Sequence, residues 1–261
     1  MPELPDVEVY KLLVEGSCLN RRIARAEVLD ASMLAGIGRD ELESALRGAT
    51  ISSVRRHGKH LFIGLGGSAW LELHFGMTGY LEFFPEAGGR TKHERLRLDF
   101  EDTSRLVYDC QRKLGEIGLI DDPETFIRQK GLGPDPYAGN LDRSRFAELV
   151  SSKRGSIKAA LMDQSLLAGI GNVYSDEILL AAGLHPKAKA AELSQEDLTR
   201  LYEAMGRILS GAVERGADPG NMPGFLVAQR RPEGTCPRCG GSVQKLTVSG
   251  RSAYLCPRCQ G

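Results

Sequence analysis

Four cysteines spaced Cys236-x2-Cys239-x16-Cys256-x2-Cys259 constrain this chain more than any other feature. Each CxxC pair offers two thiolates from one tight turn, and the separation between the pairs falls in the zinc-ribbon range. Zn²⁺ held by four sulfurs is closed tetrahedrally, with no ligand position left for water, so the expected role is structural. Gly240-Gly241 follow the first knuckle, and residues 243–248 and 252–255 read as a short hairpin. A disulfide pairing is the alternative, and a reducing compartment disfavours it. Cys18 and Cys110 have no partners of this kind and read as ordinary thiols.

The remainder is organised in blocks. At 261 residues the chain exceeds the usual size of one domain. From residue 61 to 109 apolar side chains alternate: Leu61, Ile63, Leu65; Leu71, Leu73, Phe75; Leu96, Leu98, Phe100; Leu106, Tyr108. Glycine-rich turns separate these runs, which predicts an antiparallel β-sandwich. A first helix is expected over 5–16 and a second over 40–46. The Gly- and Pro-rich stretch 131–140 reads as a hinge. Beyond it helices are expected over 143–152, 157–163 and 172–182. Ser194 then opens a longer helix with Leu198, Leu201, Met205, Ile208 and Ala212 on one stripe. The expected fold class is α+β: a β domain over 1–130, a helical domain over 141–222 and the zinc finger over 230–261.

Net charge is zero, but it is unevenly spread. From Asn221 onward six basic residues stand against one acid, a net of +5, which leaves −5 on the rest. Smaller basic groups occur at Arg21-Arg22, Arg55-Arg56-Lys59 and Lys153-Arg154-Lys158. Such asymmetry suits one phosphate-facing surface, although each cluster alone also fits solvated side chains. No apolar run approaches the ~20 residues of a membrane-spanning helix, and the start carries Glu3, Asp6 and Glu8 rather than a basic leader. A soluble cytoplasmic protein is expected.

The chain begins Met1-Pro2-Glu3-Leu4-Pro5. Removal of the methionine would leave Pro2 as a terminal secondary amine with a carboxylate next to it. Terminal amines titrate at roughly 7.7–8.0, so a useful fraction is nucleophilic and able to form an iminium with an aldehyde-like carbon. Many chains begin Met-Pro, and by themselves these residues also fit a simple helix start.

Five motifs in register decide between those readings. They are Pro2-Glu3-Leu4-Pro5-Asp6-Val7-Glu8, His74-Phe75-Gly76-Met77-Thr78-Gly79, and Leu161-Met162-Asp163-Gln164 with Gly169-Ile170-Gly171-Asn172-Val173-Tyr174. Gly183-Leu184-His185-Pro186 and the four-cysteine finger complete the set. Together they resemble the formamidopyrimidine-DNA glycosylase/endonuclease VIII (Fpg/Nei) family over essentially the whole chain. The resemblance implies a helix-two-turn-helix module and a bifunctional DNA glycosylase and abasic-site lyase of base excision repair. Pro2 would form the Schiff base at C1′ of the damaged nucleotide and Glu3 would protonate the sugar ring oxygen. Lys59 matches the family's catalytic lysine, and Arg251 the finger arginine. Met77 stands where the family inserts a wedge into the vacated stack. His93, Arg112, Lys153 and Asn172 stand where it contacts phosphates or the opposite strand. The start of the helix at Asn172 also favours an anion. The partner implied is damaged double-stranded DNA, bound by a monomer with one structural Zn²⁺.

Three departures from the family pattern stand out. Asp6 replaces a glutamate. The stretch Asp109-Cys110-Gln111-Arg112-Lys113-Leu114-Gly115 is one residue longer than Asp-Pro-Arg-Arg-Phe-Gly, with Leu114 in place of the aromatic. Residues 215–235 leave little room for a lesion-covering lid, so strict 8-oxoguanine specificity is not expected. The rival function is a non-catalytic member that binds damaged DNA without turnover, and a weaker one is a general zinc-ribbon nucleic-acid protein.

Overall fold

In the computed structural model, which describes residues 1–231 and 233–261, the alternating apolar runs form two sheets. Helix α1 (Leu4–Cys18) precedes β1 (Ile23–Val28), the short β2 (Leu34–Ala35) and α2 (Arg39–Leu46). Then come β3 (Ser53–His57), β4 (His60–Gly64), β5 (Trp70–His74), β6 (Gly79–Phe84), β7 (Glu94–Phe100), β8 (Arg105–Cys110), β9 (Glu116–Ile120) and α3 (Pro123–Gln129). One sheet has the order β1-β7-β8-β6 and the other β2-β9-β5-β4-β3. The sheets stack through their apolar faces. Leu71 and Leu73 of β5 meet Leu81, Leu96, Leu98, Leu106 and Tyr108 of the other sheet around a cavity of about 10 Å³, barely the space one water requires.

Two features differ from a purely antiparallel sandwich. The β2–β9 pair is parallel. Its strands lie far apart in sequence, so no hairpin fixes their direction. Strand β4 is also covered on both faces. Leu61 and Ile63 enter the core between the sheets, while Phe62 packs on Phe126 of α3 with ring centroids 5.5 Å apart. The side chain of Asp122 starts α3 by accepting from the Thr125 amide at 2.7 Å.

Past residue 131 the chain is helical: α4 (Arg143–Ser151), α5 (Ile157–Met162), α6 (Asn172–Ala182) and α7 (Gln195–Glu214). Asp142 and Ser156 cap α4 and α5, and Ser194 with Asp197 forms a capping box at α7. The buried stripe of α7 runs through Leu198, Leu201, Ala204, Met205, Leu209 and Ala212, with Ile208 only partly covered. Helix α6 lies at the centre and is buried almost all round, including Ser175, Asp176 and Glu177. The finger hairpin consists of β10 (Gln244–Val248) and β11 (Arg251–Leu255). Leu180 of α6 shares an apolar cluster with Leu226, Val243, Cys236 and Cys256.

Contacts divide the chain into two units, Met1–Pro2 with Val7–Lys130, and Glu3–Asp6 with Gly131–Gly261. Helices and finger thus share one unit. Among the described residues no helix is long and apolar enough to cross a membrane.

The turn between β5 and β6 rests on Gly76. Its φ is +57°, and a β-carbon there would lie 2.3 Å from the Leu114 carbonyl oxygen. Gly76→Ala should cost more than about 1 kcal/mol, because it meets both strain and a backbone clash. Gly67→Ala, in open space, should be near neutral. Urea unfolding of the two variants measures the contrast, and equal midpoints would rule out the close approach.

Candidate functional site

In the second unit, Glu3 is fully buried and its carboxylate sits on the first turn of α6. One oxygen accepts from the amides of Gly171 (2.8 Å) and Tyr174 (3.1 Å), and the other from Val173 (2.8 Å). These are the amides that a helix leaves without intrahelical acceptors, at the positive end of its dipole. A β-carbon on residue 171 would come within 2.4 Å of Glu3 Cδ, so the Gly171-Asn172 pair leaves the space the carboxylate fills. The anion expected at this helix start is therefore part of the chain itself. Asp6 accepts from the Glu3 amide at 2.9 Å. Burial, with the Glu3 carboxylate adding to it, pushes the Asp6 carboxyl up to about 6, although the Glu3 amide opposes the shift.

Beside this cap lies a buried charge cluster. Lys158 was grouped by sequence with the solvated Lys153 and Arg154, yet it is 0 % exposed. Its ammonium donates to Asp176 (2.6 Å), Ser175 Oγ (2.8 Å) and the Asn172 carbonyl (3.2 Å). Arg230 also donates to Asp176, and to the Asn172 carbonyl at 2.9 Å. Burial pulls the Lys158 ammonium below its ordinary value, against the opposing charge of Asp176. Asn172 opens α6, and its Oδ1 is buried without a hydrogen-bond partner among the described residues. Arg251, at the start of β11, points its guanidinium at Met162 Sδ, 3.7 Å away. Lys153 pairs with Asp163 at 2.8 Å, both side chains being about one-third exposed (37 % and 34 %).

The finger presents four sulfurs within 4.8 Å of one another, from Cys236, Cys239, Cys256 and Cys259. The Cys236–Cys259 and Cys239–Cys256 separations are 3.9 and 3.5 Å. Zn–S bonds of about 2.3 Å in a tetrahedron place sulfurs about 3.8 Å apart, so the set fits the ion. Backbone bonds fix each knuckle: Cys236 N to Gly241 O at 2.7 Å and Cys259 N to Cys256 O at 3.1 Å. Buried Gln260 accepts from the Cys256 amide and donates to the Leu184 carbonyl, both at 2.9 Å.

In the first unit, Lys59 lies in the two-residue turn between paired His57 and His60. Arg56 braces that turn, donating to the Gly58 carbonyl at 3.0 Å and to Glu8 of α1 at 2.6 Å. Pro2 is buried ahead of α1. Met77 and Leu114 are exposed apolar residues (39 % and 51 %) on loops that meet at Gly76. The Arg112 amide bonds Thr78 Oγ1 at 2.9 Å, which ties these two loops together. The His93 amide donates to Asp109, and its carbonyl accepts from the Cys110 amide at 2.9 Å.

A further cluster was not foreseen from the sequence. His60 Nδ1 lies 2.7 Å from Glu72, and the His60 and His74 rings are 4.9 Å apart. Burial pushes Glu72 up to about 8 and both imidazoles down to about 4. The only sequence signal is the register that pairs His60 with His74.

Comparisons with known proteins cover the whole chain. Residues 1–117 match the family model described as the formamidopyrimidine-DNA glycosylase N-terminal domain. Residues 132–222 match the formamidopyrimidine-DNA glycosylase H2TH domain, and 235–261 the zinc finger found in FPG and IleRS. A formamidopyrimidine-DNA glycosylase of Streptococcus pyogenes is 33 % identical over 273 residues, covering 100 % of this chain and 98 % of the relative. The Chloroflexus aurantiacus protein of the same name is 32 % identical over 272 residues, with 100 % and 98 % coverage. Among solved structures, Lactococcus lactis Fpg with abasic-site DNA is similar at a TM-score of 0.89, 30 % identity and 99 % coverage of both chains. MutM with DNA containing carbocyclic 8-oxo-G is similar at 0.88, 31 % identity and the same coverage.

Two measurements test the local geometry. Gly171→Ala should evict Glu3 from the helix start and lower Tm by several degrees, whereas unchanged melting would contradict the tight fit. For Asp6, the folded carboxyl keeps its proton to about pH 6 against an ordinary 3.8. Between those values the folded state binds more protons than the unfolded one, so this group's contribution to stability falls as pH rises through the window. Asp6→Asn should remove that slope and stabilise the chain at pH 8 more than at pH 4, as read from urea midpoints.

Proposed function

The chain belongs to the formamidopyrimidine-DNA glycosylase family, and from that premise we propose a mechanism for a DNA glycosylase of base excision repair in which Pro2 is the attacking amine and Glu3 the acid. With Met1 removed, the Pro2 nitrogen attacks C1′ of a deoxyribose turned out of the stack. The N–C1′ bond forms as the bond to the damaged base breaks, and the base leaves with the electron pair and takes up a proton. The amine's own proton is released. Glu3 protonates O4′ as the C1′–O4′ bond opens, leaving an iminium between Pro2 and C1′. That cation acidifies C2′. Loss of a C2′ proton expels the 3′ phosphate by β-elimination, and the 5′ phosphate can follow by δ-elimination.

The observation that carries this reading is the placement of Glu3. Adjacent in sequence to the amine, it is buried and fixed by three backbone amides. Those hydrogen bonds fix the orientation of the carboxyl group at the residue next to the amine.

The other assignments follow from residue chemistry. Lys59 on its braced turn and Arg251 on the finger hairpin are cations for the phosphates flanking C1′. Arg112, His93, Lys153 and Asn172 are proposed as further DNA contacts. Asn172 buries its side-chain Oδ1 without a partner among the described residues, and its side-chain NH₂ is assigned as the donor to phosphate. Exposed Met77, with Leu114 beside it, supplies an apolar wedge for the vacated stack. The zinc holds the finger that carries Arg251 and takes no part in the reaction. Unstacking is least costly at damaged or mismatched pairs, which favours oxidised bases as substrates. The named relatives are glycosylases, so the non-catalytic reading is not favoured. We assign the protein to the cytoplasm, acting on DNA as a monomer.

Processed protein mixed with abasic-site duplex and borohydride should yield a covalent protein–DNA adduct, and Pro2→Ala should yield none. Equal trapping by the variant would overturn the amine assignment. The surface pair Lys153–Asp163 is cheap to break, so Lys153→Ala should weaken duplex binding uniformly and flatten its salt dependence by about one ion. A panel of duplexes carrying oxidised purines and pyrimidines, scored for incision, reads out lesion preference.

A further inference from the structure

The buried carboxylate of Asp176 faces two cations and one amide, each from a different segment. Lys158 reaches it from α5 and Arg230 from the stretch after α7, while the Tyr254 amide of β11 donates to it at 3.0 Å. Asp176 is 1 % exposed, Lys158 0 %, and the Arg230 side chain 12 %. Arg230 also lies over the Tyr254 ring, 4.9 Å from its centroid. The strand bonded through Tyr254 begins at Arg251, and the guanidinium of Arg251 rests against Met162, at the far end of the helix that supplies Lys158. The Asn172 carbonyl, where α6 starts beside Glu3, accepts from both cations.

We infer that Asp176 and Arg230 are positioning residues, clamping β11 to the start of α6 so that Arg251 is held at a fixed distance from Glu3. This rests on the role given above to Arg251. The reasoning is mechanical and electrostatic. A two-stranded hairpin has little rigidity of its own, and the zinc fixes its far end, at Cys256. The end bearing Arg251 needs a second anchor, and the bond to Tyr254 provides it three residues away. One carboxylate between two buried cations can hold that anchor only while both remain in place, because an unpaired buried charge is strongly disfavoured. Neither residue touches a reacting atom in this scheme.

A double-mutant cycle on the zinc-loaded full chain tests the clamp. Arg230→Met, at a partly exposed position, and Asp176→Asn are each combined with Arg251→Ala. Single-turnover base excision is measured alongside Tm and zinc content. Each single variant should retain its zinc and lose up to about 10²-fold in excision rate, as small misplacements of a catalytic group do. In the Arg251→Ala background the same changes should cost less than about twofold, since the arginine they position is gone. If Arg251→Ala is impaired and the losses multiply, the clamp acts only as general scaffolding and the inference fails. If Arg251→Ala excises at the wild-type rate, the role assigned to Arg251 fails, and the inference with it. Hydrogen exchange supplies a readout that needs no activity: the Tyr254 amide should exchange faster in Arg230→Met, and unchanged protection would also overturn the clamp.

Discussion

A helix that starts in the protein interior must find acceptors for its first amides, and at α6 that acceptor is the carboxylate of Glu3. Much of the second unit is arranged around this requirement. Gly171 leaves out the side chain that would exclude the carboxylate. Leu4 donates its own amide to the Gly169 carbonyl at 3.0 Å, which fixes the backbone on the other side of Glu3. Asp6 then takes the Glu3 amide. These contacts on Glu3 and Leu4 determine the direction of the chain at the point where the proposed nucleophile is attached. An acid on a mobile arm would need to be ordered at each turnover, whereas this one is already placed.

The same helix solves a second problem one turn further on. Asp176 and Glu177 are both buried, and an isolated buried carboxylate is prohibitively costly. Asp176 is matched by Lys158 and Arg230. Glu177 accepts from the Leu226 amide at 2.8 Å, and burial pushes its carboxyl up to about 7. Two adjacent acids thus bind both the crossing between α7 and the finger and the finger hairpin itself. Within the crossing, Met222 is 3 % exposed and Leu226 0 %.

What could be read from the sequence was whatever is decided locally. The knuckles are legible because both ligands of each pair come from one turn. The start of α7 is legible because Ser194 and Asp197 satisfy one another's amides three residues apart. Alternation exposed strands such as β7, whose one face enters the core while the other stays more open. Helix α3 was missed because only Pro123 of its residues is buried and its aromatic contact is that of Phe126 against Phe62 and His60, too little to produce a periodic pattern. The burial of Lys158 was missed for a different reason. A lysine near Lys153 and Arg154 reads as solvated, and its counter-charge lies eighteen residues away on another helix.

The ionic groups divide along the same line, and this bears on which residues carry function. Surface pairs such as Lys153–Asp163 can exchange a protein partner for a phosphate at little cost, so they serve binding. Buried groups such as Glu3 and Asp176 cannot exchange partners without unfolding their surroundings, so they serve position. The proposed chemistry uses both kinds. A flipped nucleotide must be admitted by groups that yield and then met by groups that do not. Glu3 belongs to the second kind, held at the first turn of α6 by three backbone amides.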